Sequence, residues 1–163
     1  MEIKKAKSQK ELDAIEKLAF EIWHEHYTPI IGKEQVEYML NKFQSVDAMQ
    51  KQIDEGYEYY SIIEDGVLIG YLTIQPREKH LFLSKAYVLS KYRGLGYGQE
   101  AFKFAELRAK QLNLYKVQLT VNKYNSRTIS VYEKYGFKKV KEAVFDIGLG
   151  YIMDDYIMEK DIV

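Results

Sequence analysis

Apolar residues recur at helical intervals in the first third of the chain and crowd together at strand-like density in the middle. After a short β-prone opening at residues 2–6, Ser8-Gln9-Lys10-Glu11 has the spacing of a capping box. Leu12, Ile15, Leu18, Ala19 and Ile22 follow three and four apart, which predicts a helix. Val36, Met39, Leu40 and Phe43 mark one side of a second helix over 34–43, and 45–53 extends or restarts it. From Tyr57 the period shortens. Tyr59, Tyr60, Ile62, Ile63, Val67, Ile69, Tyr71, Thr73 and Ile74 surround Asp65-Gly66, a two-residue hairpin turn, and predict two antiparallel strands. A third β-rich run, 81–88, leads into a glycine-rich stretch, after which Phe102, Ala105, Ala109 and Leu112 return to helical spacing. Strand 116–121, helix 125–135 and strands near 137–145 and 151–159 complete the order. This alternation predicts an α/β fold, a mixed sheet with helices on both faces. No linker, repeat or low-complexity run divides 1–163, so a single domain is expected.

Composition narrows the chemistry. The chain has no cysteine, which excludes a thiol nucleophile, a redox pair and a thiolate zinc site. Its 24 basic side chains balance 24 acidic ones, and zero net charge argues against a broad phosphate-backbone clamp, so no nucleic-acid partner is expected. No stretch approaches the ~18 uninterrupted apolar residues that span a bilayer, and the opening residues lack an apolar leader core. A cytoplasmic protein without a membrane partner is expected. His24 and His26 stand two apart, which points them to different sides of a helix with no third ligand nearby, so no metal is expected.

The most informative segment is Tyr92-Arg93-Gly94-Leu95-Gly96-Tyr97-Gly98, between a β-rich run and an amphipathic helix. Glycines let backbone N–H groups approach a ligand, and the start of the following helix adds unpaired donors and a positive dipole end, together an anion cradle. A tight strand-to-helix connection is the simpler alternative. The spacing departs from a P-loop, and no Lys-Ser/Thr pair supports a nucleotide site.

The stretch from Tyr87 to Gly98 resembles the acetyl-CoA pyrophosphate loop of the GCN5-related N-acetyltransferases, whose motif is Arg or Gln, any two, Gly, any one, Gly or Ala. Arg93, Gly96 and Gly98 fill those places. Asn125-Ser126-Arg127-Thr128 through Tyr132 to Gly136-Phe137 is similar to the second motif of the family: Asn, a short helix, Tyr and a closing Gly-Phe. The resemblance implies a mostly antiparallel sheet of six or seven strands flanked by helices, with acetyl-CoA or CoA as cofactor. It assigns the pyrophosphate to Arg93, Gly94, Leu95, Gly96, Tyr97 and Gly98, and the pantetheine arm to the backbone of Tyr87, Val88 and Leu89. It gives Asn125 a contact with the arm, which a pure N-cap role leaves open.

Tyr132 occupies the family's general-acid position. A phenol with an ordinary pKa near 10 stays protonated at neutral pH and can donate to a leaving sulfur, although a core aromatic would also fit this helix. Without a cysteine or a Gly-x-Ser-x-Gly elbow, direct attack in a ternary complex is the expected route.

No general base stands out. Many relatives carry a Glu on the strand before the loop, whereas residues 81–86 contain Ser84 and no carboxylate. Glu25, Glu58, Asp154 and Asp155 are the candidates elsewhere. That gap keeps a non-catalytic acyl-CoA-binding module as the alternative to an enzyme. The carboxy-terminal pattern from Gly148 to Lys160 is similar to a bacterial subgroup that includes polyamine acetyltransferases, which implies a small polyamine or a peptide amine as acceptor. An antibiotic amine and a ribosomal-protein N-terminus stay open. Relatives often pair as homodimers through edge strands, an arrangement the β-rich carboxy terminus allows.

Overall fold

The structure, a computed structural model, describes residues 1–162. Seven strands form one sheet in the order β1-β2-β3-β4-β5-β7-β6, accompanied by five α-helices. The chain gathers into two compact units, Met1–Gln75 with Lys85–Phe102, and Pro76–Ser84 with the chain from Lys103 onward.

In the first unit β1 (Glu2–Ala6) pairs antiparallel with β2 (Glu58–Glu64), Ile3 opposite Ile62. β2 pairs in turn with β3 (Val67–Pro76). The turn between β2 and β3 is the predicted Asp65-Gly66, with φ of 50° and 77°, the left-handed pair that matches strand twist. Helix α1 (Gln9–Ile31) starts with the full capping box. Glu11 N–H donates to Ser8 Oγ (3.2 Å) and Ser8 N–H to Glu11 Oε1 (3.1 Å), and the Ser8 backbone bond leads the contacts that lower the Glu11 pKa. Its apolar stripe of Leu12, Ile15, Leu18, Ala19, Ile22 and Trp23 is buried, each large aliphatic contributing about 1.5–3 kcal/mol.

The periodicity stops at Ile22, yet α1 continues nine residues further through Pro29. Pro29 lies in the last turn of the helix, where it has no N–H to give to the ladder, and the helix closes with Gly32 N–H on Thr28 O at 3.0 Å. Helix α2 (Lys33–Gln44) stops at Ser45, which has extended dihedrals, and the chain restarts as α3 (Val46–Asp54). Two side chains hold that restart. Ser45 Oγ accepts from Ala48 N–H (3.2 Å), and Glu16 of α1 accepts from Val46 N–H (2.6 Å).

In the second unit residues 81–83 of β4 (Leu81–Val88) run parallel to β5 (Lys116–Asn122), Leu81 opposite Val117. β5 pairs antiparallel with β7 (Tyr151–Asp161), and β7 with β6 (Lys138–Gly148). The β6–β7 hairpin is longer than the sequence suggests and turns at Leu149-Gly150, φ 52° and 80°. β6 is the sheet edge, and Val140, Val144 and Phe145 on it are exposed. Val117, Leu119, Phe137 and Met158 form the core together with Ala105 and Ala109 of α4 (Tyr97–Gln111), and Lys160 Nζ is ion-paired with Glu106. Among the described residues no helix is long and apolar enough to cross a membrane.

Candidate functional site

The glycine loop belongs to the first unit. β4 gives way to Leu89, whose N–H donates to Ile69 O at 2.8 Å. One 3-10 turn, Ser90–Tyr92, follows, closed by Tyr92 N–H on Leu89 O (2.9 Å) and Arg93 N–H on Ser90 O (3.1 Å). Gly94 and Gly96 then take φ of 78° and 90°, conformations that side chains resist, and α4 begins at Tyr97. Glu100 N–H reaches Gly96 O at 3.1 Å, so the amides of Tyr97, Gly98 and Gln99 are the first-turn donors that no helical carbonyl can serve. A Cβ at Gly94, Gly96 or Gly98 would meet nothing within 4 Å. Backbone donors beside open space at the positive end of a helix suit an anion. The Tyr97 ring meets Tyr92 edge-on at 5.9 Å. Its pKa is raised by desolvation first and then by a hydrogen bond to Glu64.

The backbone of Tyr87, Val88 and Leu89 leads into this loop, and the Tyr87 side chain is also engaged. Its Oη lies 2.7 Å from Tyr27 Oη, and its ring packs against Trp23 at 6.0 Å, Tyr71 at 5.6 Å and His26 at 6.5 Å. His24 has other neighbours, Phe20 at 4.5 Å and Glu37 at 3.9 Å.

Behind the aromatic cluster runs a buried, one-directional hydrogen-bond chain. Trp23 Nε1 donates to Tyr71 Oη (2.9 Å), Tyr71 to Gln44 Oε1 (2.6 Å), Gln44 Nε2 to Tyr59 Oη (3.0 Å), Tyr59 to Gln52 Oε1 (2.6 Å), and Gln52 Nε2 to Phe43 O (2.8 Å). Burial pushes the Tyr59 phenol up to about 12 and Tyr71 well above the ordinary range, so both remain hydrogen donors at any working pH. Burial also draws Lys85, on the strand before the loop, down to about 8.

Asn125 and Tyr132 belong to the second unit. Asn125, buried, caps α5 (Ser126–Lys134): its Oδ1 accepts from Thr128 N–H at 3.4 Å and its backbone O from Ile129 N–H at 3.0 Å. Tyr132 is half-buried, with its ring 6.1 Å from Phe137 and its carbonyl accepting Phe137 N–H at 3.0 Å.

The four carboxylates divide by environment. Glu25 is exposed, and Tyr60 Oη donates to Glu58 at 2.6 Å. Lys123 Nζ pairs with Asp154 at 2.8 Å and Glu142 at 3.2 Å. Asp155 is 3% exposed. Burial pushes its pKa up to about 6, with Asp154 adding to the rise and Lys123 opposing it. It stands opposite Asn122 in the β5–β7 ladder, and Asn122 O accepts the Asn125 N–H at 3.0 Å.

Gly70, Gln44 and Lys85 have no counterpart among the sequence-based expectations. For Gly70 a signal existed, since a lone glycine inside a strand pattern marks a close backbone approach.

The sequence matches the model of the acetyltransferase (GNAT) family over residues 14–137. No curated protein sequence matches the chain. Solved structures similar to it include the PaiA N-acetyltransferase from Thermoplasma acidophilum in complex with coenzyme A, 24% identical over 99% of both chains with a TM-score of 0.81. The ribosomal-protein-S18-alanine N-acetyltransferase from Escherichia coli is 17% identical over 99% of this chain and 93% of its own, TM-score 0.74. A GNAT family acetyltransferase from Elizabethkingia anophelis with acetyl-CoA bound is 17% identical over 70% and 82%, TM-score 0.59. At these identities the likeness is one of fold.

Proposed function

Because the chain belongs to the acetyltransferase (GNAT) family, we propose that residues 1–163 act as one N-acetyltransferase domain, moving an acetyl group from acetyl-CoA to a primary amine by direct attack in a ternary complex. The observation that carries this reading is the loop at Arg93–Gly98, where two left-handed glycines open onto the first-turn amides of α4. These residues fit a pyrophosphate, because the amides are donors and the space where Gly94, Gly96 and Gly98 lack a Cβ is open to 4 Å. Arg93 adds a cation to the loop. The backbone of Tyr87 and Val88 would hold the pantetheine arm, since the Leu89 N–H is already given to Ile69 O, with Asn125 contributing an amide beside its cap.

Acetyl-CoA, when bound, supplies an acyl carbon activated by a thiolate leaving group. Tyr132 would hold a proton for that sulfur. Asp155 would accept the proton that the amine sheds, a role supported by its withdrawal from water while Asp154 and Glu58 are engaged elsewhere. A small polyamine or a peptide amine is the acceptor class we favour. The rival reading, an acyl-CoA-binding module without turnover, draws on the missing carboxylate at 81–86.

Thermal melting with CoA, acetyl-CoA and ATP, followed by thiol release with polyamines and peptides, tests the reading on wild type and Tyr132→Phe. CoA species should raise Tm and ATP should not. Amine-dependent thiol release should fall about 100-fold or more in the variant, in line with loss of general-acid help. CoA binding without turnover on any amine favours the module, and absence of CoA binding overturns the proposal.

A further inference from the structure

Glycines serve two different purposes in the first unit. Gly94 and Gly96 are there for their φ, with nothing near their missing side chains. Gly70, in the middle of β3, has no left-handed φ, and what it provides is space. A Cβ on it would stand 2.2 Å from Tyr87 O, 2.9 Å from Val88 Cγ1 and 3.1 Å from Val88 Cα. Two of those three atoms are backbone and cannot rotate away. Among the glycines whose surroundings are described, Gly70 alone has backbone within this distance; the neighbour of Gly136 is the flexible stem of Lys160.

The same stretch of β3 holds the next peptide as well, because Ile69 O accepts Leu89 N–H at 2.8 Å. Tyr71, on the other side of Gly70, packs its ring on Tyr87 at 5.6 Å and is itself fixed by Trp23 Nε1 and Gln44 Oε1. Three consecutive β3 residues therefore define where the Tyr87 carbonyl, the Val88 Cα and the Leu89 amide lie, just before the glycine loop. Contacts across the strands, more than the residues of the segment itself, set its position.

We propose that Gly70 is a positioning residue for acyl-CoA binding: the absence of its side chain sets the backbone of Tyr87 and Val88, ahead of the anchored Leu89, where the arm of the cosubstrate pairs with it. This rests on the acetyl-CoA reading above. An added methyl at 2.2 Å must retreat to at least 3.4 Å to make an ordinary contact, so β3 and the end of β4 must part by more than an ångström. A backbone partner moved by about an ångström no longer meets hydrogen-bond geometry, and each bond lost costs up to about tenfold in affinity.

The experiment measures CoA affinity by calorimetry, and stability by circular dichroism, on the full chain as wild type, Gly70→Ala and Gly56→Ala. Gly56 has φ +99° and open surroundings, so Ala there strains the backbone without touching the 87–89 segment. Gly70→Ala should weaken CoA binding about tenfold or more at a temperature where its spectrum remains native. Gly56→Ala should lower Tm and leave the CoA Kd unchanged. Unchanged CoA affinity in Gly70→Ala overturns the inference while leaving the acetyl-CoA reading intact, and a wild type that fails to bind CoA overturns both.

Hydrogen exchange on wild type gives a second readout that stands even if Gly70→Ala does not fold. A segment set by β3 shows Leu89 amide protection that CoA changes by less than tenfold. Protection that appears only with CoA overturns the inference.

Discussion

Replacing Asp155 with asparagine should stabilise the fold at neutral pH while impairing the enzyme. The carboxyl is 3% exposed, and burial, reinforced by Asp154 and opposed by Lys123, lifts its pKa from 3.8 to about 6. The folded chain thus prefers the protonated acid, whereas the unfolded chain ionises freely above pH 4. The penalty is absent below the unfolded pKa, grows between pH 4 and 6, and is complete above the folded pKa. At about 1.4 kcal/mol per pKa unit the difference corresponds to roughly 3 kcal/mol at pH 7.5. Asparagine has nearly the same shape and no charge to desolvate, so Asp155→Asn should recover up to that amount, a rise in Tm on the order of 6–12 °C for a chain of this size.

Urea unfolding of both proteins at pH 4, 5, 6 and 7.5 reads the effect. Their stabilities should coincide near pH 4 and separate by pH 6, the variant above. A gap that does not change with pH, or a variant less stable than wild type at pH 7.5, would refute the reasoning. If Asp155 also takes the proton of the amine, turnover should fall about 100-fold or more as stability rises, the exchange expected where a strained group is kept for its chemistry.

Two further outcomes follow from the geometry. Gly96→Ala places a side chain at φ 90° and should cost roughly 1–2 kcal/mol from the left-handed conformation, and it should abolish the CoA-induced rise in Tm; a full CoA response in this variant would move the anion site elsewhere. Gln44→Leu leaves the Tyr71 hydroxyl without its acceptor and Tyr59 without its donor in the interior, and should lower stability by about 2–4 kcal/mol in urea unfolding, against a change near zero if the chain of bonds is incidental.

Local signals in the sequence were enough to locate the turn at Asp65-Gly66, the capping box at Ser8 and the glycine loop, because each depends on residues within a few positions. Periodicity leaves the restart at Ser45 open, since it is decided by Glu16, 30 residues away, reaching the Val46 amide. The extension of α1 through Pro29 was hidden for a similar reason: the residues beyond Ile22 are held by aromatic neighbours such as Tyr71 and Tyr87 rather than by a repeating stripe. The resemblance engages Tyr87 through its backbone alone, and the contact of its phenol with Tyr27 exists only once α1 is laid beside it. A lysine on a strand reads as solvent-facing, so the lowered pKa of Lys85 becomes visible only with its surroundings.

The buried bond chain that begins at Trp23 also gives the molecule an optical label. Trp23 is the only tryptophan of the sequence, its indole N–H is committed to Tyr71, and its ring lies 6.0 Å from that of Tyr87, six positions before Arg93. Its fluorescence therefore reports on the strand end that the glycine loop depends on. The emission maximum should sit at short wavelength in the native protein and move red when that region opens, which lets ligand-induced changes near Tyr87 be followed in real time without attaching a dye.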